Sequence, residues 1–206
     1  NLQFAEVKDL KLQGRIPKIS EEIEKKILNK IFQHKPLRGF IQEKGLPIYY
    51  RTTGGRYFKV VTNYSTGSTK ENFITFDEKY SNLIGCILSS SLSFWFYQIF
   101  SNNLDWKSYE IESFTIPLEQ LNPQNMKEIT ELYEEYLTDI ERNANERISS
   151  GSSSYNVTSF KEYKIGKSKS IIDRIDDVIC PLYGLTEEET EFIKNYEIEF
   201  RIATDE

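Results

Sequence analysis

Cationic and hydroxyl-bearing side chains gather around a pair of glycines, Gly54-Gly55, in the first third of the chain. Arg51 and Arg56 flank the pair, and Thr52 and Thr53 directly precede it. A guanidinium offers a fork of hydrogen-bond donors that fits phosphate oxygens or the edge of a guanine, while hydroxyls donate and accept at short range. These residue types are typical of a surface that binds the phosphates and base edges of DNA.

Two apolar and aromatic runs, residues 48–50 and 57–61, lie on either side of the glycines. Paired glycines tolerate the positive φ angles of a tight turn, so the pattern predicts a β-hairpin. A loop rich in Ser, Thr and Gly follows at 65–70, and residues 73–76 have the composition of a strand that extends the same sheet. A simpler interpretation is an edge hairpin whose charges prevent pairing with other chains.

Each class of side chain has a predicted role on this surface. The two arginines contact bases or phosphates, the two threonines act as short-range donors, and four further basic residues hold phosphates. The 65–70 loop enters a groove of the duplex together with the hairpin. The predicted DNA-binding residues are Lys35, Arg38, Tyr50, Arg51, Thr52, Thr53, Arg56, Tyr57, Lys59, Ser68 and Lys70.

The 206-residue chain carries a formal net charge of −6, which at first argues against a polyanionic partner. Residues 34–72, however, contain seven basic and two acidic side chains, whereas 119–146 and 185–206 each contain two basic and eight acidic ones. A basic middle can dock on DNA by one face because the local field governs association. The acidic stretches support an alternative, a protein-docking domain that binds a partner subunit through its acidic helices. An exposed apolar face along 126–140 would mark that alternative.

The remaining patterns predict an α+β fold, with a small mixed or antiparallel sheet around the central hairpin, packed by helices. Ser20 is predicted to cap a first helix, and Asp77 to cap one continuous helix that runs to Phe100. Asn122-Pro123 predicts the start of another helix, whose apolar residues between 126 and 140 recur every three to four positions.

The predicted organisation is an α/β domain over residues 1–118 and a helical C-terminal subdomain over 119–206. A flexible, serine-rich connector is expected near 149–159. The alternating stretch 111–116 predicts a short strand, and a capping box at Thr186 predicts the start of a last helix.

The sequence offers few candidates for catalytic or metal-ligating residues. His34 is the only histidine, and Cys86 and Cys180 lack the paired spacing of a zinc site, so buried thiols in a reducing cytoplasm are expected. The uncharged run 83–100 is interrupted by serines and predicts a buried helix instead of a membrane span. The sequence lacks a phosphate-binding glycine loop and the Asn-Pro-Pro-aromatic motif that holds a flipped base. We expect no catalytic residue, metal or cofactor in this chain, and the mixed polarity after Asn1 predicts no signal peptide.

Two parts of the chain resemble one enzyme family. The first comprises the runs IYYRTTGGRYFK (48–59), LSSSL (88–92), FWF (94–96) and FTIP (114–117). The second comprises SKSIIDRID (168–176), YGLTEEE (183–189) and NYEIEFR (195–201). Together they resemble the C-terminal part of type II restriction-modification adenine-N6 DNA methyltransferases, some of which carry a fused endonuclease.

The resemblance implies a target recognition domain, which holds duplex DNA and reads the site. The methyl-transfer half, which binds S-adenosylmethionine, would then lie in an N-terminal domain of a parent protein, and this chain would be a fragment or an isolated domain. Because the family's catalytic motif does not occur in the chain, only DNA recognition carries over to these residues.

Overall fold

The structure is a computed structural model that describes residues 7, 9–53, 59–102, 104–148 and 159–202. It is 55% helical and 18% strand, with small antiparallel sheets packed by helices, so the predicted α+β class is confirmed. The helices are α1 (Glu22–Ile31), α2 (Glu78–Ser89), α3 (Ser91–Phe100), α4 (Ser108–Ser113), α5 (Pro123–Arg142), α6 (Lys169–Leu182), α7 (Glu187–Asn195) and α8 (Ile198–Ile202). The strands are β1 (Lys35–Pro36), β2 (Ile41–Arg51), β3 (Val61–Thr62), β4 (Glu71–Phe76), β5 (Thr115–Ile116), β6 (Asn145–Ile148) and β7 (Ser159–Glu162).

The sheet that carries the predicted site has three antiparallel strands in the order β3-β2-β4. Tyr50 lies opposite Val61 on β3, and Arg51 lies opposite Glu71 on β4. The two strands of the predicted hairpin, β2 and β3, are therefore paired, while its Gly54-Gly55 turn lies outside the described residues. The other sheets are the two-stranded pairs β1-β5 and β6-β7.

Strand β2 contains a bulge near its start. Ile41 and Leu46 both lie opposite Phe76, so the register of the ladder shifts between them. A Cβ atom at Gly45 would overlap the carbonyl group of Phe76, and glycine is the residue that permits so close an approach of two backbones. The regular part of the β2-β4 ladder is thus Leu46 to Arg51.

The uncharged segment folds as two helices, α2 and α3, and the prediction of one continuous helix to Phe100 is wrong. The helices meet at Ser90 with a bend of 69°. The Ser90 hydroxyl donates to the Ile87 carbonyl at 2.6 Å and accepts from the Ser93 N–H at 3.1 Å, so this residue ends one helix and caps the next. Asp77 caps α2, as predicted, by accepting an N–H group of its first turn.

Within the described part of the chain, no single helix has the length and apolar composition that crossing a membrane requires. Helices α2 and α3 meet those requirements only together, as a bent pair. Every residue of α3 is buried in the protein core, as the sequence predicts for this segment.

Helix α5 contributes its apolar face, within residues 126–140, to the same core and packs against α2 and α6. The fully buried residues on this face are Ile129, Tyr133, Tyr136 and Ile140. Tyr133 lies against α2 at Gly85, where a Cβ atom would overlap its ring. The division into 1–118 and 119–206 stays a prediction, and both parts contribute side chains to one core.

The boundaries of the helices show which of the predicted helix starts are correct. Asn122 caps α5, and Thr186 caps α7 through the predicted capping box. The N-cap of α1 is Glu21 and not the predicted Ser20. Glu24, in the first turn of the helix, accepts the backbone N–H groups of both residues. The alternating stretch 111–116 belongs partly to α4 and ends in the two-residue strand β5.

The predicted connector near 149–159 joins β6 to β7, and residues 149–158 lie outside the described residues. The two strands pair with each other in antiparallel register along their full length. The segment therefore links the two strands of one hairpin.

A buried carboxylate joins α6 to the start of α3. Asp176 is fully buried and accepts the backbone N–H groups of Ser91 at 3.2 Å and Leu92 at 3.3 Å. The buried guanidinium of Arg201 donates to the Ser91 hydroxyl at 3.1 Å and lies over the ring of Phe94. Burial raises the pKa of Asp176 to about 7, while these donors and the charge of Arg201 act in the opposite direction. The carboxylate satisfies N–H groups that have no partner within their own helix.

Replacement of Asp176 by alanine should lower the free energy of unfolding by about 3–5 kcal/mol, because it leaves two buried N–H groups without their acceptor and removes the carboxylate whose charge offsets that of the buried Arg201. The adjacent Asp177 is exposed and bonds to Lys194, so Asp177→Ala should cost at most about 1 kcal/mol. Urea unfolding of both variants measures the difference. Equal losses in the two variants would contradict a structural role for the buried carboxylate.

Candidate nucleic-acid interface

The end of β2 brings together five of the predicted DNA-binding residues, which we call the hairpin-end surface: Arg51, Thr52, Thr53, Ser68 and Lys70. The Arg51 Nε donates to the carbonyl of Thr53 at 3.0 Å. The N–H and the hydroxyl of Thr52 both donate to the carbonyl of Lys70, at 2.8 and 3.0 Å. These bonds fix the start of the hairpin turn against the end of the 65–70 loop.

The 65–70 loop is shaped by the carboxylate of Glu71. This carboxylate accepts from the Ser65 hydroxyl at 2.7 Å and from the Thr66 N–H at 2.8 Å, and it also accepts from the Thr66 hydroxyl. Gly67 has a φ of +74°, a conformation that glycine adopts without strain. The first two hydroxyls of the loop are therefore bound internally, which leaves Ser68, Thr69 and Lys70 as its candidates for a partner.

The cations of this surface retain donors for a partner. Within the described residues, the terminal nitrogens of Arg51 have no hydrogen bond and the ammonium of Lys70 has no ion pair. Two carboxylates lie near Arg51, and both are already hydrogen-bonded: Glu71, opposite it on β4, accepts from the 65–70 loop, and Glu162 accepts from Arg147 at 2.8 Å. The hydrogen bond from Arg147 is the main cause that holds the pKa of Glu162 below its ordinary value. The charges of Lys164 and Arg51 act in the same direction.

Two residues predicted to face DNA lie in the core instead. Tyr50 is 2% exposed and packs edge-on against Trp106, because β2 alternates its side chains and position 50 is on the inner face. Lys59 is 7% exposed, with its ammonium 4.3 Å from the centre of the Tyr97 ring. Lys59 therefore does not lie where it could hold a phosphate.

Burial of the Lys59 ammonium lowers its pKa to about 8. The nearby carboxylates of Glu110 and Asp105 act in the opposite direction, and the charge of Arg51 adds to the lowering. This lysine directly follows the hairpin turn, so it anchors the returning strand to the helical core through a cation–π contact.

Lys35 and Arg38 lie at the other end of β2. Lys35 is part of β1, and Arg38 is in the 3-10 turn Leu37–Phe40 that leads into β2. Since a strand rises about 3.4 Å per residue, the ladder from Leu46 to Arg51 alone separates the two ends by about 17 Å. The structure thus divides the predicted phosphate-binding residues into two groups.

The last two predicted residues, Arg56 and Tyr57, lie outside the described residues, in the segment that joins β2 to β3. The chain on both sides of that segment is described. Thr53 bridges Asp105 on one side, and the Val60 carbonyl accepts the Arg51 N–H at 3.1 Å on the other. The described residues on both sides of this segment therefore lie at the hairpin-end surface.

The outer face of the sheet carries an aromatic pair that the sequence patterns did not single out. Tyr49 lies opposite Phe73, with ring centres 5.5 Å apart, and Phe73 is 53% exposed. Because side chains on a strand alternate, Tyr49 shares its face with Arg51, two residues further on. The alternation of side chains along β2 and β4 could have predicted this outward-facing pair from the sequence. Exposed rings beside an arginine can stack on a base or a sugar.

A cluster around Glu141 holds the sheet against α5. The hydroxyls of Tyr64 and Tyr163 donate to its carboxylate at 2.8 and 2.5 Å, and the Lys161 ammonium at 2.5 Å. Burial alone would raise the pKa of Glu141, but these three donors outweigh it and the pKa lies below its ordinary value. Burial and the same carboxylate raise the pKa of both tyrosines. The cluster positions the hairpin-end surface relative to the helices.

Comparison with known proteins identifies no relative: no family model, curated protein or solved structure matches the chain. Functional proposals for this chain therefore rest on its residues and their geometry, together with the sequence resemblance described above.

Replacement of Lys59 by methionine should change the pH dependence of stability. Because burial lowers the pKa of Lys59 from 10.5 to about 8, the unfolded chain keeps a proton that the folded chain releases between those values. The wild-type free energy of unfolding should therefore rise, relative to Lys59→Met, by up to about 3 kcal/mol as the pH increases from 8 toward 10.5.

Urea unfolding at a series of pH values measures this difference. Lys127→Met makes the same substitution at a lysine on α5 that is 75% exposed, and serves as the matched control. Parallel stability curves for the wild type and Lys59→Met would show that the lysine is not buried as described.

Proposed function

We propose that the chain recognises a short duplex DNA sequence, as the target recognition part of a restriction-modification adenine-N6 DNA methyltransferase. The observation that carries the proposal is the state of Arg51. Its Nε is held by the Thr53 carbonyl at 3.0 Å, while its terminal nitrogens have no hydrogen bond within the described residues. An arginine fixed in this way loses little freedom when it forms two parallel bonds with a guanine or a phosphate.

The neighbours of Arg51 supply the other parts of a DNA contact. The exposed Lys70 brings a positive charge to the same end of the sheet, where its carbonyl is bound by Thr52. A lysine of this kind neutralises a phosphate and releases counterions without reading sequence. The exposed ring of Phe73 offers apolar contact to a base or a sugar. Arg56 and Tyr57, in the hairpin turn, are proposed to contact the same duplex.

The negative net charge is compatible with this proposal because several of the acidic residues lie on another surface. Helices α5 and α6 line a groove of about 460 Å³ that carries Glu128, Glu131 and Asp177. This groove shares no lining residue with the small cleft beside Arg51. The charged residues that line the cleft beside Arg51 are two basic ones, Arg51 and Lys161, and one acidic one, Glu71. The local field, which governs association, is therefore not set by the net charge of the chain.

The same proposal includes a parent protein in which the other activities are located. Methyl transfer and the binding of S-adenosylmethionine are assigned to an N-terminal methyltransferase domain of a parent protein, with which this chain would act on DNA in the cytoplasm. An endonuclease activity, where the parent has one, is likewise assigned to that other part. The residues described here are proposed to bind and read, and not to catalyse.

The alternative of a protein-docking domain receives no support from the apolar face of α5. An exposed face would mark that hypothesis, but Ile129, Tyr133 and Tyr136 are fully buried against other elements of the chain. The acidic residues of α5 are also partly neutralised, since Glu135 pairs with Arg174 at 2.5 Å. DNA recognition is therefore the function that the described surface supports best.

Replacement of Lys70 by alanine should weaken binding to all duplex sequences alike and reduce the salt slope by about 0.9, the value for one lost phosphate contact. Binding to a random duplex pool across a series of salt concentrations measures this slope. Lys127→Ala removes an exposed lysine on α5 and should leave the slope unchanged. A wild-type affinity that does not vary with salt would falsify the assignment to DNA.

Replacement of Arg51 should instead relax the sequence preference. Arg51→Ala should cost about 1–3 kcal/mol on the preferred site and lose discrimination at one base pair. Arg51→Lys keeps the charge but loses the fork, so it should retain the salt slope and still lose the discrimination. Sequencing of duplexes selected from the random pool separates these effects. An unchanged preference in both variants would rule out base reading by Arg51.

A further inference from the structure

The outer face of the three-stranded sheet carries an exposed aromatic ring beside Arg51. Tyr49 and Arg51 point outward from β2, and they lie opposite Phe73 and Glu71 on β4. Phe73 is therefore the diagonal neighbour of Arg51, at a spacing of about 7–8 Å that aromatic and long side chains can span. Among the side chains that the structure describes, only the rings of Phe73 and Phe200 are exposed, at 53% and 61%. Of these two, Phe73 belongs to the sheet that carries the proposed DNA contact.

The polar groups around Phe73 are bound within the protein, although β4 is an edge strand of the sheet. An edge strand presents unpaired N–H groups to which another strand can add. The N–H of Phe73, however, already donates to the Asn72 side chain at 2.9 Å. Thr75, the next outward residue along β4, donates its hydroxyl to the Gln42 carbonyl at 2.5 Å. The feature left for a partner at this position is the ring itself.

A small cleft with polar donors borders the pair formed by Tyr49 and Phe73. Its lining comes from the outer face of the sheet, the 65–70 loop and the end of β7, and includes Tyr49, Arg51, Ser68, Lys161 and Tyr163. The Ser68 hydroxyl accepts the Lys70 N–H at 3.2 Å, and its own proton has no acceptor within the described residues. The terminal nitrogens of Arg51 also have no acceptor in that part of the chain. Donors for the edge or the phosphate of a nucleotide therefore lie next to the exposed ring.

We infer that the ring of Phe73 stacks on an unpaired nucleobase of the bound DNA, an inference that rests on the proposed function. In a paired duplex, neighbouring bases cover both faces of each base, so an aromatic side chain can stack only on a base that has left the helix. Every base has a π-face, so the ring accepts any of the four. Arg51 bonds the adjacent nucleotide, and Ser68 and Lys70 bond its backbone.

The test compares duplexes of about 20 base pairs with random flanking sequence, either fully paired or with one extra, unpaired adenine at the centre. Fluorescence anisotropy of an end label measures both affinities. The wild type should bind the bulged duplex at least about fivefold more tightly, and Phe73→Ala should reduce this ratio to about one. Phe73→Trp should retain the preference. Phe200→Ala removes a similarly exposed ring on α8 and serves as the matched control, with an unchanged ratio.

A bulge also makes a duplex easier to bend, so a third duplex carries an abasic nucleotide at the same position. This duplex keeps the bulge but lacks the base, and it should bind no more tightly than the paired one. Iodouracil at the unpaired position should crosslink to Phe73 under ultraviolet light, and mass spectrometry identifies the crosslinked peptide. Equal affinity for the two bulges, or a preference for the base that survives in Phe73→Ala, would overturn the inference.

The same measurements separate this inference from the proposed function. If the wild type binds none of the duplexes, both fail. If it binds the paired duplex with the expected salt dependence but does not prefer the bulge, DNA recognition stands and Phe73 does not stack. A single strand of the same length should bind more weakly than the bulged duplex, because it lacks the paired region that the hairpin-end surface holds. Tighter binding of the single strand, lost in Phe73→Ala, would make single-stranded DNA the source of the base. Circular dichroism confirms that each variant is folded.

Discussion

The hydrogen bonds accepted by the buried Asp176 carboxylate are the interaction on which the rest of the structure depends. They satisfy the first N–H groups of α3 at a place where neither water nor the helix itself can do so. The sharp bend after Ser90 can therefore lie inside the core. Because of that bend, α2 packs against β2 and α5 while α3 packs against α6 and α7. The three-stranded sheet rests on α2, so the placement of Arg51 depends on a polar contact deep in the molecule.

The two faces of that sheet differ in their surroundings. Ile48, Tyr50 and Ile74 point into the core, and the alternate positions Tyr49 and Phe73 point outward. A sheet with one buried and one free face presents side chains to a partner without disturbing its own packing. The hydrogen bonds of the Glu141 cluster also connect the sheet to α5. The outer face is thus held by contacts that a bound partner would not displace.

Local features could be predicted from the sequence, and features that depend on distant residues could not. The caps at Asn122 and Thr186 are readable because each side chain bonds to N–H groups within three residues. The break at Ser90 depends on Asp176, more than eighty residues away, and the burial of Lys59 depends on the ring of Tyr97. Neither partner can be identified from spacing along the chain. The same limit explains why two of the proposed phosphate-binding residues lie at one end of β2 and a third at the other.

The carboxylate of Glu71 has a consequence for the cost of association. By accepting hydrogen bonds from Ser65 and Thr66, it ties the 65–70 loop to the strand that follows before any partner arrives. A loop that is already ordered gives up less conformational entropy on contact than one that must first be organised. For the proposed duplex partner, affinity at this edge would then be limited by desolvation of Ser68 and Lys70, and by how well the shape of the duplex matches this ordered surface.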